Sequence, residues 1–207
     1  MRRALGLLAG FCLACSSQAQ PPAAAPPATA TGAVATAAKL QLKDASGRLL
    51  CKIKPKGDGY RFYDEQDAVL GEAKLQADRI KLKDEKDAER WKIKRKEYGA
   101  EIEDASGNRL YKLKRTEDGW KLEDARDATL AKLKSKREGY EVRDAEGRTL
   151  AKVRSKEGTV VLDSEEGVRM AELEGTTDVE AAMWFALERF SLAERAAICS
   201  YFLRVGR

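Results

Sequence analysis

Apolar and polar residues alternate in short stretches along most of this chain. YRFYD (60–64), IKLKD (80–84), WKLED (120–124) and YEVRD (140–144) each set two apolar side chains against polar neighbours. Alternation at period two sorts side chains onto opposite faces of an extended segment, so each stretch reads as a strand with one apolar and one solvated side. A second segment follows each: LCKIK (50–54), LYKLK (110–114), LAKLK (130–134) and LAKVR (150–154). Asp44, Asp64, Asp84, Asp104, Asp124 and Asp144 fall twenty residues apart, and Asp163 follows as if after a one-residue deletion. A fixed period of this length marks a repeat architecture whose units bury their apolar faces together.

The turn residues between the stretches have hairpin chemistry. Asp44, Asp104 and Asp144 each lead to a glycine three residues on (Gly47, Gly107, Gly147), as in a type I turn closed by a left-handed residue in a bulge. Asp67, Asp87 and Asp127 stand in for that glycine elsewhere, and Asp tolerates the left-handed region better than most residues. Gly59, Gly99, Gly119, Gly139 and Gly158 are assigned to the return turns. The fold class is therefore mainly β. Residues 39–175 form an antiparallel meander of about seven 20-residue hairpins, rolled, closed into a barrel or stacked as a solenoid.

A helical pair follows over 176–207. Thr177 with Glu180 and Ser191 with Glu194 read as capping boxes, the first opening an apolar helix to Phe190 and the second continuing through Leu203. The pair is expected to pack on the sheet or cap its last strand as a hydrophobic plug. The other reading is a partner- or membrane-facing amphipathic segment.

The N-terminus adds an address. Arg2 and Arg3 precede an apolar run from Ala4 to Ala14, a charged n-region and an h-region too short to span a bilayer. Residues 1–14 are therefore read as a signal peptide. The run ends Cys12-Leu13-Ala14-Cys15-Ser16, which resembles the lipobox of bacterial lipoproteins, with Cys12 where that motif usually has Leu. The resemblance implies a covalent lipid on Cys15, and Ser16 after it implies outer-membrane sorting in a Gram-negative cell. A plain secretory signal cleaved after Ala14 or Ala19 has the same n- and h-regions. Residues 15–38 would then be the lipidated N-terminus and an Ala/Pro-rich linker holding four of the five prolines.

Composition narrows the function. The 207 residues include no histidine, which removes Ser-His-Asp triads, HExxH zinc sites and Cys/His fingers. No P-loop, GxGxxG or GxSxG is present, so no catalytic residue or metal site is assigned and the chain is read as non-enzymatic. With 39 basic residues against 34 acidic, interleaved throughout, nucleic-acid binding is not indicated. The periodic aspartates are read as turn formers rather than a calcium ladder, since neighbouring lysines supply no oxygen ligands. Cys51 and Cys199 would remain as thiols after processing, with a disulfide between them as one outcome and two buried free thiols as the other.

Tyr60, Trp120 and Tyr140 recur four residues before their aspartates, with Trp91 and Tyr111 on the following strands. Hairpins of this length with a Gly-aromatic start resemble the choline-binding repeats of Gram-positive surface proteins, which implies a ligand-contact role for Tyr60, Trp120 and Tyr140. Core packing is the alternative, because the same register holds Ile80, Ala100 and Thr159. The Lys/Glu-rich alternation is also similar to borrelial outer-surface lipoproteins, which implies a soluble, charged sheet at a cell surface. The resulting expectation is a lipid-anchored envelope protein with a β-repeat interaction or spacer module and no cofactor besides the lipid. Alternatives are a glycan or cell-wall binding module using the strand aromatics, and a periplasmic assembly partner docking through its C-terminal helices.

Overall fold

A computed structural model describes residues 39–204. The signal, Cys12, Cys15 and the linker lie outside the described residues. Fourteen antiparallel strands follow one another around a closed barrel. They are β1 (Leu40–Asp44), β2 (Leu49–Lys56), β3 (Gly59–Tyr63), β4 (Val69–Gln76), β5 (Arg79–Lys83), β6 (Glu89–Lys96) and β7 (Gly99–Asp104). The second half comprises β8 (Arg109–Thr116), β9 (Gly119–Asp124), β10 (Thr129–Lys136), β11 (Gly139–Asp144), β12 (Thr149–Lys156), β13 (Thr159–Asp163) and β14 (Arg169–Glu174). β1 closes on β14 with Leu42 opposite Leu173 and Asp44 opposite Ala171. Closure satisfies both edges of a sheet that would otherwise present unpaired backbone.

The twenty-residue period holds without interruption. Ser164, not Asp163, opens the last turn: its N–H donates to the Val168 carbonyl at 2.8 Å, as Asp144 N does to Arg148 at 3.0 Å. The serine hydroxyl substitutes for the carboxylate as a turn former, so no residue is deleted. In the other repeats the aspartate caps its own turn, as where Asp84 Oδ1 accepts Lys86 N at 3.0 Å and Ala88 N at 2.9 Å. Asp67, Asp87 and Asp127 adopt φ of 63°, 65° and 62°, the left-handed conformation expected of them.

Most of the glycines expected in the return turns sit one position later. The turns are two-residue links such as Glu117-Asp118, and Gly119 and Gly139 are the first residues of the next strands. A Cβ at Gly119 would lie 2.0 Å from the Leu133 carbonyl oxygen, and one at Gly139 would lie 2.0 Å from that of Val153. This close approach lets the Asp118 carbonyl accept Ser135 N at 2.6 Å, carrying the ladder into the turn.

Each strand turns two side chains inward, and the inward set climbs from strand to strand with the stagger a closed barrel needs. Ile53, Phe62, Ile80, Ile93, Ile102, Leu113, Leu122 and Leu133 are fully buried there. A bulge interrupts every Asp-turn hairpin at one position: Leu42 opposes Cys51 while Lys43 opposes Leu49, leaving Leu50 extra. Leu110, Leu130 and Leu150 occupy the same place in their repeats. Bulges bend and twist strands, and one per hairpin curves the sheet toward closure.

The chain fills its own lumen. After β14 come α1 (Val179–Ala182), a 3₁₀ turn over Met183–Ala186, and α2 (Leu192–Arg204). Trp184 packs against Trp120 of β9, Phe190 against Trp91 of β6 and Tyr111 of β8, and Arg204 against Tyr60 of β3. Contacts to inward residues on well-separated strands are possible only from inside the ring. Met183, Trp184, Ile198 and Cys199 have no exposed surface. At thirteen residues α2 runs about 20 Å, comparable to the strands around it.

The helical pair thus plugs the barrel rather than capping its last strand. The second capping box forms, with Ser191 N donating to Glu194 Oε2 at 2.7 Å. The first shifts by one: Asp178 Oδ1 accepts Ala181 N at 3.0 Å, and Glu180 turns to the barrel wall instead. The apolar side chains assigned to partner docking, Trp184, Phe185, Ile198 and Phe202 among them, are buried against the lumen. They are already partnered, and docking through them would require the plug to leave.

Candidate functional site

Seven near-equivalent hairpins surround the lumen, so a site shows itself where one hairpin departs from the others. At the mouth bearing the return turns, the first inward position holds Tyr60, Ile80, Ala100, Trp120, Tyr140 and Val160 in successive repeats. Trp120 and Tyr140 are the pair on neighbouring hairpins, and α1 enters the barrel beside them. Trp120 Nε1 donates to Glu180 Oε1 at 2.6 Å. Glu180 also faces Tyr140, and burial together with that carboxylate pushes the phenol up to about 12.

The next inward position along β8 is Arg115, where other repeats carry Pro55, Leu75, Arg95, Ser135 and Ser155. Its guanidinium lies 5.9 Å from the centre of the Trp120 ring, a cation–π arrangement. Phe202 meets the same indole edge-on at 4.9 Å and stacks on Trp184. Arg115, Tyr140, Glu180 and Phe202, together with Thr176, Thr177, Asp178 and Val179, line a cleft of about 740 Å³. The Thr176 hydroxyl accepts Asp178 N at 3.0 Å, which fixes the loop that enters α1.

The cleft therefore combines a cation, two carboxylates, threonine hydroxyls and an aromatic flank within the size range of small-ligand sites. Its carboxylates serve as a helix cap and as an acceptor for Trp120.

Of the three aromatics singled out by sequence, two meet here. Trp120 is 5% exposed and lies behind the cleft against Glu180 and Phe202, while Tyr140 is half-buried on the cleft wall. Tyr60 sits elsewhere on the same mouth, its hydroxyl accepting Arg204 Nε at 3.1 Å under the Arg204 guanidinium. The three do not share a cage, so the choline-type arrangement does not form. Cys51 and Cys199 are free and buried, and burial pushes the Cys51 thiol up to about 12 and Cys199 higher still. The disulfide between them is absent, leaving the buried-thiol alternative.

No family model matches the chain, and no curated protein matches it. Among solved structures, an X-ray structure of a protein from Arabidopsis thaliana is similar over 72% of this chain and 88% of that one, at 12% identity and a TM-score of 0.41. At that distance no function transfers.

Sequence reasoning missed Arg115 and the place of Asp178 and Glu180 on the cleft wall. The signal for Arg115 was present: a charged residue two positions beyond inward-facing Leu113, at the mouth of an otherwise apolar lumen. Asp178 and Glu180 were legible only as helix-capping residues, because their place in space depends on α1 entering the barrel.

A second, smaller cleft of about 220 Å³ lies at the opposite mouth, between the Asp84 turn and the start of α2 at Ser191 and Glu194. Its walls run from buried Leu82 to exposed Glu85, Arg90 and Ser191.

Proposed function

We propose that this protein is a lipid-anchored, non-enzymatic protein of the cell envelope whose barrel is an interaction and spacer module. The observation that carries the reading is the self-filled lumen. A barrel occupied by its own helices offers partners its outer wall and its mouths rather than an internal chamber.

The outer wall supports it. Lys94 and Glu103, and Arg61 and Glu72, pair across strands at 2.7 Å, and Lys121 and Glu123 pair along β9 at 2.6 Å. A lipid-facing barrel would need an apolar outer band instead, so the bilayer contact falls to the lipid on Cys15.

The test is membrane fractionation of the Cys15→Ala variant with and without globomycin. Release of Cys15→Ala from membranes and accumulation of the uncleaved precursor under globomycin support the anchor. Full membrane retention of Cys15→Ala, or processing that globomycin does not block, overturns it. Protease digestion of intact and permeabilised cells then assigns the module to the outer surface or the periplasm.

A second reading, glycan or cell-wall binding, is favoured by the half-buried Tyr140 ring in the cleft. Binding to purified sacculi that disappears in a folded Tyr140→Ala variant would place it first.

A further inference from the structure

We propose that the outer wall over β8–β11 binds a linear acidic polysaccharide along a row of four cations, Lys114, Lys121, Lys132 and Arg143. The assignment gives the interaction module a ligand class. It rests on the wall of the barrel and not on the lipid at Cys15, so either can fail without the other.

The pairing register carries the inference. Lys114 stands directly opposite Lys121, Lys121 opposite Lys132, and Lys132 opposite Arg143, on four successive strands. All four point away from the lumen, because their neighbours Leu113, Leu122, Leu133 and Val142 are fully buried inward residues. Like charges directly opposite each other destabilise a sheet, and opposite charges there stabilise it. Elsewhere the wall follows that rule: Arg61 faces Glu72, Glu101 faces Lys112, and Glu141 faces Lys152. Lys74, Lys81 and Lys92 make a shorter row, but Glu89 bridges Lys81 and Lys92 at 3.0 Å each.

The longer row has no carboxylate inside it. Glu123 holds Lys121 and Glu141 holds Arg143, each at 2.6 Å and each along its own strand. Lys114 and Lys132 are exposed and have no ion pair among the described residues. A glutamate at position 132 would relieve the repulsion at no cost in packing, since that side chain lies in solvent. The fold therefore does not require the row, and a bound polyanion would neutralise it. Adjacent strands lie about 4.8 Å apart, so the four cations span about 14 Å in three steps. A chain of pyranose rings with one carboxylate on each presents its charges at a comparable step, one per strand. A line of cations on a convex wall fits such a polymer better than it fits the plane of a membrane.

The test is calorimetric titration of the full chain in nonionic detergent, at about 0.15 M salt, with tetragalacturonate, its methyl ester and monomeric galacturonate. The tetramer should bind at least about tenfold more tightly than either control. Lys132→Glu should weaken the tetramer at least about tenfold while raising the midpoint of urea denaturation, so that the lost binding does not come from a lost fold. Lys86→Gln removes an exposed lysine from the turn between β5 and β6 and should bind like the original protein, whereas Lys132→Gln, with the same change in net charge, should bind more weakly. No saturable binding at about 10 mM tetragalacturonate overturns the proposal, as does Lys132→Glu binding like the original or equal losses in Lys86→Gln and Lys132→Gln. Tighter binding of a single-stranded DNA tetranucleotide than of tetragalacturonate overturns the partner class.

Discussion

The indole Nε1 of Trp120 donates to Glu180 Oε1 at 2.6 Å, joining β9 of the barrel wall to the first turn of the plug sixty residues later. Glu180→Ala would leave that buried N–H without an acceptor. The expected cost is about 1–3 kcal/mol in urea denaturation, and Glu180→Gln, which keeps a carbonyl there, should lose less. Equal losses in the two variants would show that the bond contributes nothing specific.

Glu180 should also control the titration of Tyr140. Burial and the nearby carboxylate raise the folded phenol to about 12, above the ordinary value of about 10. A raised folded pKa contributes stability that is complete below the unfolded value and is lost as pH rises through the folded one. The difference in phenolate absorbance between the protein and Tyr140→Phe isolates this residue. In Glu180→Gln the Tyr140 transition should move down in pH, and an unmoved transition would remove the carboxylate as a cause.

The meander was readable because every level of the repeat agreed: alternation, turn residues and spacing all pointed to the same hairpin. The apolar spacing Leu50 to Ile53 was the exception, since residues three apart cannot share a strand face. The bulge resolves it, because Cys51 and Ile53 point inward and Leu50 is the extra residue. Closure was not readable, since local hairpin chemistry says nothing of whether β1 meets β14. The plug's location followed from closure: the same apolar helices would cover an open sheet or fill a barrel. For the cleft, aromatic register led to Trp120 and Tyr140, but Tyr60 shares that register and lies elsewhere. What separates them is the entry point of α1, a tertiary fact with no local sequence mark.

Asp127 adopts φ of 62° at the place where Gly107 and Gly147 stand in their own turns. Asp127→Gly should change stability by only a few tenths of a kcal/mol, because glycine adopts that conformation freely and the lost pairs to Arg109 and Lys112 are partly solvated. Asp127→Val should cost about 1–2 kcal/mol, since a β-branched residue is strained there. Thermal unfolding of the two variants checks the order.

Burial of both thiols predicts their chemistry. In a Cys12→Ala, Cys15→Ala background, Cys51 and Cys199 should resist Ellman's reagent at about pH 8, because the reactive thiolate is suppressed by burial and access is blocked. Both should react promptly in denaturant. Fast labelling of the native protein would mean that the plug opens readily.

Inside the lumen α2 packs against β4. Ala73 of β4 faces inward with no exposed surface, on a strand that α2 packs against, while Lys74 next to it faces solvent. Ala73→Leu should cost about 1–3 kcal/mol through overpacking, and Lys74→Leu should stay within about 0.5 kcal/mol. Chemical denaturation of the pair separates a filled lumen from a loose one, for which Ala73→Leu would be neutral or stabilising.

Asp163 gives the clearest acid signature. It sits on β13 almost fully buried under two arginines, accepting Arg154 Nη2 at 2.7 Å and Arg169 Nε at 2.8 Å. Burial by itself raises its pKa, but the hydrogen bonds from Arg169 and Arg154 outweigh that and hold the carboxyl below its ordinary range. The unfolded carboxyl titrates near 3.9, so the folded state resists protonation as the medium turns acid. The stability this contributes is therefore present above the unfolded value and is lost as pH falls through the folded one. At neutral pH Asp163→Asn should be less stable by about 1–3 kcal/mol, since the amide oxygen still accepts a bond but carries no charge. Between about pH 5 and pH 2 the original protein should lose stability faster than the variant, and the two curves should converge. Curves that stay parallel across that range would show that the arginine pair holds Asp163 by geometry alone, with no coupling to its charge.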